Sequence, residues 1–141
     1  MQEQITFPSA GLKLAGVVHM PVDLRPGECR PAFLILHGFG GNKNGQGQIV
    51  MAEQLAQWGY IALRFDFRGC GESEGEHGRI LCLDQVADTT SALTYMASRQ
   101  DVDPERVALV GSSFGAAVAV YTGGVDLRVA AVISSGGWGD G

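Results

Sequence analysis

Ser113 stands two residues after Gly111 and two before Gly115, in the run VGSSFG at residues 110–115. G-x-S-x-G is the spacing of a tight turn between a strand and a helix that lifts a serine Oγ clear of the backbone, where it can attack an electrophilic carbon. Gly111 and Gly115 leave space where side chains would collide with the turn's neighbours. Ser112 is adjacent but occupies the wrong position for attack. Such a serine needs a base to take its proton, because a free hydroxyl is a poor nucleophile at neutral pH. The three histidines, His19, His37 and His77, all precede Ser113, and the residues after it hold Asp126 and Asp140 but no imidazole.

Two glycine-rich segments could also do chemistry: HGFGG at residues 37–41 and DFRGCGESEG at residues 66–75. Neither is a phosphate cradle. A dinucleotide fingerprint requires G-x-G-x-x-G, yet Lys43 and Glu74 occupy the last positions after Gly38-x-Gly40 and Gly69-x-Gly71. Gly40 to Gly45 has Walker spacing, but Gln46 stands where the lysine must be.

The elements that must position these residues follow from apolar patterning. Short alternating stretches at Gln4–Phe7 and Lys13–His19, joined by the turn-like Pro8-Ser9-Ala10-Gly11, predict an antiparallel hairpin. After a polar connection from Pro21 to Pro31, the continuous apolar runs Ala32–Leu36, Tyr60–Phe65, Arg106–Val110 and Val129–Ser134 predict strands covered on both faces. Helical spacing predicts helices over Gln48–Trp58, stopping at Gly59, over Leu81–Ser98, and from Phe114 to about Thr122. In the second of these Leu83, Val86, Ala87, Leu93 and Ala97 are expected inward, with Asp84 and Asp88 toward the positive N-terminal end. Asp103-Pro104-Glu105 reads as a turn into the third run. Strands alternating with helices specify an α/β fold, a mainly parallel sheet with helices on both faces and an antiparallel hairpin at the start. Residues 1–141 read as one domain without internal repeats. Ligands bind such sheets at the carboxyl ends of the strands, so HGFGG, DFRGCGESEG and GSSFG converge on one rim.

In that order and context the three segments resemble the N-terminal half of an α/β-hydrolase, within the esterase-like and serine-aminopeptidase-like group; feruloyl esterases and dienelactone-hydrolase-like enzymes are the nearest flavour. His37-Gly38-Phe39-Gly40-Gly41 is similar to the family's oxyanion loop, Asp66 to Gly75 to its D-x-R-G-x-G-x-S-x-G loop, and Gly111–Gly115 to its elbow. The resemblance covers nearly the whole chain. It implies a serine hydrolase acting on a small-molecule carboxylic ester, thioester or amide, with Ser113 as nucleophile and the backbone N–H groups of Phe39 and Phe114 holding the oxyanion. His37 is expected to brace its loop through hydrogen bonds, and Asp66 and Arg68 to shape theirs. His77 reads as a rim residue, His19 has no special claim, and Phe33, Phe65 and Phe67 read as core or pocket wall. The family's triad runs serine, acid, histidine. Asp126 falls on the opposite rim, Asp140 falls where some members place the acid, and the triad histidine is absent.

The resemblance therefore implies an incomplete fold of about six strands, weak or inactive alone, whose apolar last strand Val129–Ser134 is left as an edge. Self-association through that edge is expected. The competing reading is a non-catalytic module of the same fold that binds a ligand or partner through the same rim.

Composition narrows the remaining classes. The net charge of −5 and the singly scattered Arg64, Arg68, Arg79, Arg99, Arg106 and Arg128 argue against a nucleic-acid partner. Cys29, Cys70 and Cys82 form neither a disulfide framework nor a zinc motif, which fits a reducing cytoplasm. No leader or membrane-length apolar run is read in the sequence. No metal or organic cofactor is implied.

Overall fold

A computed structural model describes residues 1–138; Asp140, the expected acid, lies outside the described residues. Ala10 and Gly11, both at positive φ, make a two-residue turn between β1 (Gln2–Ser9) and β2 (Leu12–His19). The pairing runs from Ser9↔Leu12 to Gln2↔His19, so Pro8 belongs to the strand and not to the turn. Proline is tolerated there because β1 is an edge, where one row of N–H groups has no sheet partner.

The sheet has six strands in the order β1-β2-β4-β3-β5-β6, with β3 (Arg30–Leu36), β4 (Ile61–Phe65), β5 (Val102–Ser112) and β6 (Val129–Ser135). β4, β3, β5 and β6 run parallel, and β2 pairs antiparallel with β4. Asp103-Pro104-Glu105 lies inside β5 as an irregularity: the register against β3 jumps from Arg30↔Val102 to Ala32↔Val107. The expected turn is thus a local slip in a longer strand.

Alternation along the strands divides the interior into two layers. Leu34, Leu36, Leu63, Phe65 and Leu109 face α2 (Cys82–Ala97) and α3 (Phe114–Val125), where Leu93, Met96, Val118 and Ala119 complete the larger core. Ile35, Ala62 and Val110 face α1 (Gln46–Gln57) through Ala52 and Leu55. Trp58, at the end of α1, is exposed. The inner face of α2 differs from the expected one. Leu83 and Ala87 point to solvent, while Gln85, Val86, Asp88, Thr89, Ala92, Leu93 and Met96 are buried. The rotation follows from polar anchoring, since buried Asp88 accepts hydrogen bonds from Ser9 on β1 and from Arg68.

β6 is the exception to the covered strands. α3 packs against it, but Ala131, Ile133 and Ser135 are exposed and no strand pairs with its outer edge among the described residues. Among those residues no helix is long and apolar enough to cross a membrane.

Candidate active site

The carboxyl ends of β3, β4 and β5 deliver the three glycine-rich segments to one rim, with the loop after β3 between the other two. Ser113 sits between β5 and α3 with φ 55° and ψ −122°. A non-glycine residue in such a conformation costs on the order of 1–3 kcal/mol and persists only where its surroundings hold it. Here its N–H donates to the Ser135 carbonyl at 2.9 Å, and its own carbonyl accepts the N–H of Ala116 at 3.0 Å. A Cβ on Gly111 would meet the Gly115 carbonyl, and a Cβ on Gly115 would meet the carbonyls of Leu36 and His37. The two glycines are therefore demanded by how closely the turn folds onto itself and onto β3. Ser113 is exposed, and among the described residues its hydroxyl has no hydrogen-bond partner.

Beside it, Gly38 to Gly41 form a β-turn closed by Gly41 N–H to Gly38 C=O at 3.0 Å, with Gly40 at φ +70°. That is the third-position conformation of a type II turn, which favours glycine. It leaves the N–H of Phe39 outside the turn's own hydrogen bond. Among the described residues neither this N–H nor that of Phe114, the first residue of α3, donates to a protein acceptor. A Cβ built on Gly38 would stand 3.6 Å from Ser113 Cβ, so the turn and the elbow are in contact. The Phe39 ring is 69% exposed and lies edge-to-face on Phe114 at 5.9 Å, and Phe114 meets Trp138 at 6.0 Å. A cleft of about 200 Å³ opens on the α1 side of the elbow, between Met51, Gln48, Ser112 and Ser135. A larger one, about 520 Å³ at Leu24–Glu28 and Arg99–Asp101, holds none of the three segments.

His37 is buried with both ring nitrogens engaged by main chain. Nε2 accepts the Phe67 N–H at 3.2 Å, which leaves Nδ1 as the donor to the Gly38 carbonyl at 2.9 Å. Burial pushes its pKa down against the Gly38 hydrogen bond and the Asp66 charge, so the ring is neutral. His77 is exposed in the loop after β4, and His19 is buried on β2, where it accepts from Arg64 Nε at 2.9 Å.

The partners of the loop after β4 are more distant than expected. Arg68 reaches α2, donating through Nε and Nη2 to Asp88 at 3.0 and 2.9 Å. The carboxylate of Asp66 is buried against Lys43, whose N–H and Nζ donate to its two oxygens at 2.6 and 2.8 Å. Sequence reasoning placed Asp88 only toward the positive end of its helix and gave Lys43 no role. The signal for Asp88 was its place on the Gln85-Asp88-Thr89-Ala92 face of α2. Lys43 gave none beyond being the one cation in a glycine-rich loop. Among the described residues no cluster of histidine, cysteine and carboxylate side chains could hold a metal ion.

Comparison with known proteins bears on the family and fold that carry these residues. Residues 27–139 match the family described as serine aminopeptidase, S33. The quorum-quenching protein AidA of Acinetobacter baumannii is 33% identical over 138 residues, covering 97% of this chain and 44% of that protein. The polyketide transferase af380 of Aspergillus fumigatus is 34% identical over 140 residues, covering 94% and 44%. Among solved structures, the α/β hydrolase GrgF from Penicillium sp. sh18 superimposes with a TM-score of 0.87 at 27% identity, covering 95% of this chain and 45% of that one. The chain thus spans under half the length of each of these three proteins.

Proposed function

The chain belongs to the serine aminopeptidase, S33, family of α/β hydrolases, and from that premise we propose that Ser113 is the nucleophile of a serine hydrolase cleaving a carboxylic ester, thioester or amide. The observation that carries the proposal is Ser113 held at positive φ on a strand-to-helix turn, beside two N–H groups without protein acceptors among the described residues.

In the reaction, Ser113 Oγ forms a bond to the acyl carbon while the carbonyl π electrons move onto oxygen. The N–H groups of Phe39 and Phe114 receive that oxyanion; loss of one such donor costs roughly 2.7–4 kcal/mol of transition-state stabilisation. Collapse expels the alcohol, thiol or amine and leaves an acyl-enzyme, which water then hydrolyses. The Oγ proton must pass to a base and on to the leaving group. No histidine follows Ser113, and both nitrogens of His37 are occupied in bracing the oxyanion loop. The 141 residues alone therefore turn over weakly, with Asp140 as the proposed acid and the base supplied from outside them. A reducing cytoplasm suits the three free cysteines. The outer edge of β6 is proposed to meet a second copy of the chain.

A fluorophosphonate probe tests the nucleophile. Slow labelling confined to Ser113 and lost in Ser113→Ala is expected, with feeble hydrolysis of p-nitrophenyl acetate. Label on another residue removes the assignment. The complete absence of label favours the second reading, a non-catalytic module of the same fold that binds a ligand or partner through the same rim. Rapid turnover abolished by Ser113→Ala would place a base on another chain.

A further inference from the structure

The loop that carries Phe39 stands on two feet, and both rest on consecutive residues of the loop after β4. At its start, His37 Nε2 accepts the Phe67 N–H. At its end, Lys43 donates to Asp66 through its N–H to Oδ1 and through Nζ to Oδ2. The Lys43 and Asp66 side chains are 2% and 0% exposed. Glu72 also contacts Lys43 Nζ, but its side chain is 69% exposed. The Lys43 carbonyl accepts Arg64 Nη1 at 3.0 Å. Asp66 is itself held by the β4 neighbourhood: its N–H donates to the Ala15 carbonyl, and its carbonyl accepts Ser73 Oγ. Between the two feet, the internal closure is the Gly38–Gly41 turn.

We propose that Lys43 is a positioning residue for the oxyanion donor: its ion pair with Asp66 fixes the far end of the Gly38–Asn42 segment and so the placement of the Phe39 N–H beside Ser113. The inference rests on the hydrolase reading for its purpose, but not for its geometry. A lysine tied to one buried carboxylate by both its main chain and its ammonium has little freedom in either. Loss of Nζ leaves the main-chain contacts of Lys43 in place while stripping Asp66 of its cation. Segment 38–42 then keeps its path but loses its fixed register. Burial disfavours the ammonium, yet the hydrogen bonds it donates to Asp66 and Glu72 outweigh that and hold the Lys43 pKa above its ordinary value, so the lysine stays charged.

Hydrogen exchange resolved by mass spectrometry tests this on the whole chain in Lys43→Met, Asp66→Asn and the double variant, with Ser113→Ala and Glu72→Gln as controls. Each single variant is expected to speed exchange in segment 38–42 at least tenfold, while β5 and α2 keep wild-type protection. The double variant is expected to be no worse than Asp66→Asn alone, because the Lys43 side chain acts on the segment through Asp66. Glu72→Gln and Ser113→Ala are expected to leave the segment unchanged. Where Ser113 reacts with a fluorophosphonate, Lys43→Met slows that reaction in proportion to the local exchange. Unlabelled wild-type protein counts against the hydrolase reading, and the exchange cycle still decides the role of Lys43. Wild-type exchange of segment 38–42 in Lys43→Met, additive effects in the double variant, or a parallel loss of protection in β5 and α2 would each overturn the proposal.

Discussion

Arg64 is a buried guanidinium whose hydrogen bonds go to uncharged acceptors: His19 Nε2 at 2.9 Å, the Lys43 carbonyl at 3.0 Å and Asn44 Oδ1 at 2.8 Å. As acceptor from Arg64 Nε, His19 Nε2 must carry no proton. Burial first, then the Arg64 charge and the amino terminus, lower the His19 pKa from 6.5 to about 4. Burial lowers the Arg64 pKa, against the charges of Asp66 and Glu53, which raise it. Above pH 6.5 His19 is neutral in the folded and unfolded chain alike, so its effect on stability is constant. As pH falls toward 4, the unfolded chain takes up the proton and the folded chain does not. Stability therefore drops with acidity across that window, by on the order of 2–3 kcal/mol in all. Urea unfolding at pH 7 and pH 4.5 checks it. Because carboxylates titrate nearby, the quantity to read is the difference between wild type and His19→Gln. The variant is expected to lose less stability on acidification, and an identical loss would dismiss His19 as the cause. Neither this contact nor Lys43–Asp66 was legible in the sequence. Arg64 and His19 meet only because β2 and β4 pair antiparallel, and Lys43 and Asp66 because two separate loops fold over one rim. By contrast Ser113, Gly111 and Gly115 could be read directly, since their spacing forms one short pattern of five residues.

At the level of elements, the elbow depends on a close approach that the sequence announced through glycine. The carbonyls of Leu36 and His37 occupy the space a Gly115 side chain would need. Leu36 ends β3 and His37 follows it directly, and β3 has strands on each side and cannot give way. Gly115→Ala is expected to destabilise the chain by about 1–3 kcal/mol or more, as overpacking does, with a corresponding fall in Tm by calorimetry. Gly124, also in α3, has nothing within 4 Å of a built Cβ. Gly124→Ala is expected to be neutral or stabilising by up to about 1 kcal/mol. Equal losses at the two positions would mean that helix propensity, not the contact with β3, sets the effect. The strands and helices themselves were legible because apolar runs and 3.6-residue spacing report burial on two faces or one. The extent of β1 and the start of β5 were not. Pro8 and Pro104 read as breakers, while the first sits on an edge strand and the second in a register slip. The inner face of α2 was misread for a related reason: periodicity weighs apolar residues, and this face carries Asp88, Gln85 and Thr89.

Across the described residues as a whole, the two edges of the sheet differ. β1 closes one side as a polar strand, exposed along Gln2, Glu3 and Gln4 and carrying Pro8, features that discourage further pairing. β6 closes the other with VAAVISS, which has no charge and no proline, and leaves Ile133 52% exposed. Helix α3 covers one face of that strand, and no helix packs on the other among the described residues. An uncharged parallel strand with one open face and an open edge is a template for pairing. In a two-fold arrangement β6 would meet its own copy antiparallel, joining two six-stranded sheets into one. A net charge of −5 is too small to oppose that contact strongly. Sedimentation velocity across a concentration series is expected to show reversible dimers of the isolated chain. Ile133→Lys, which puts a cation on the open face, is expected to shift the equilibrium to monomer with the urea midpoint of the monomer unchanged. A wild-type chain that stays monomeric at its highest soluble concentration would rule out β6 as a contact between copies, and so would an Ile133→Lys chain that dimerises equally well.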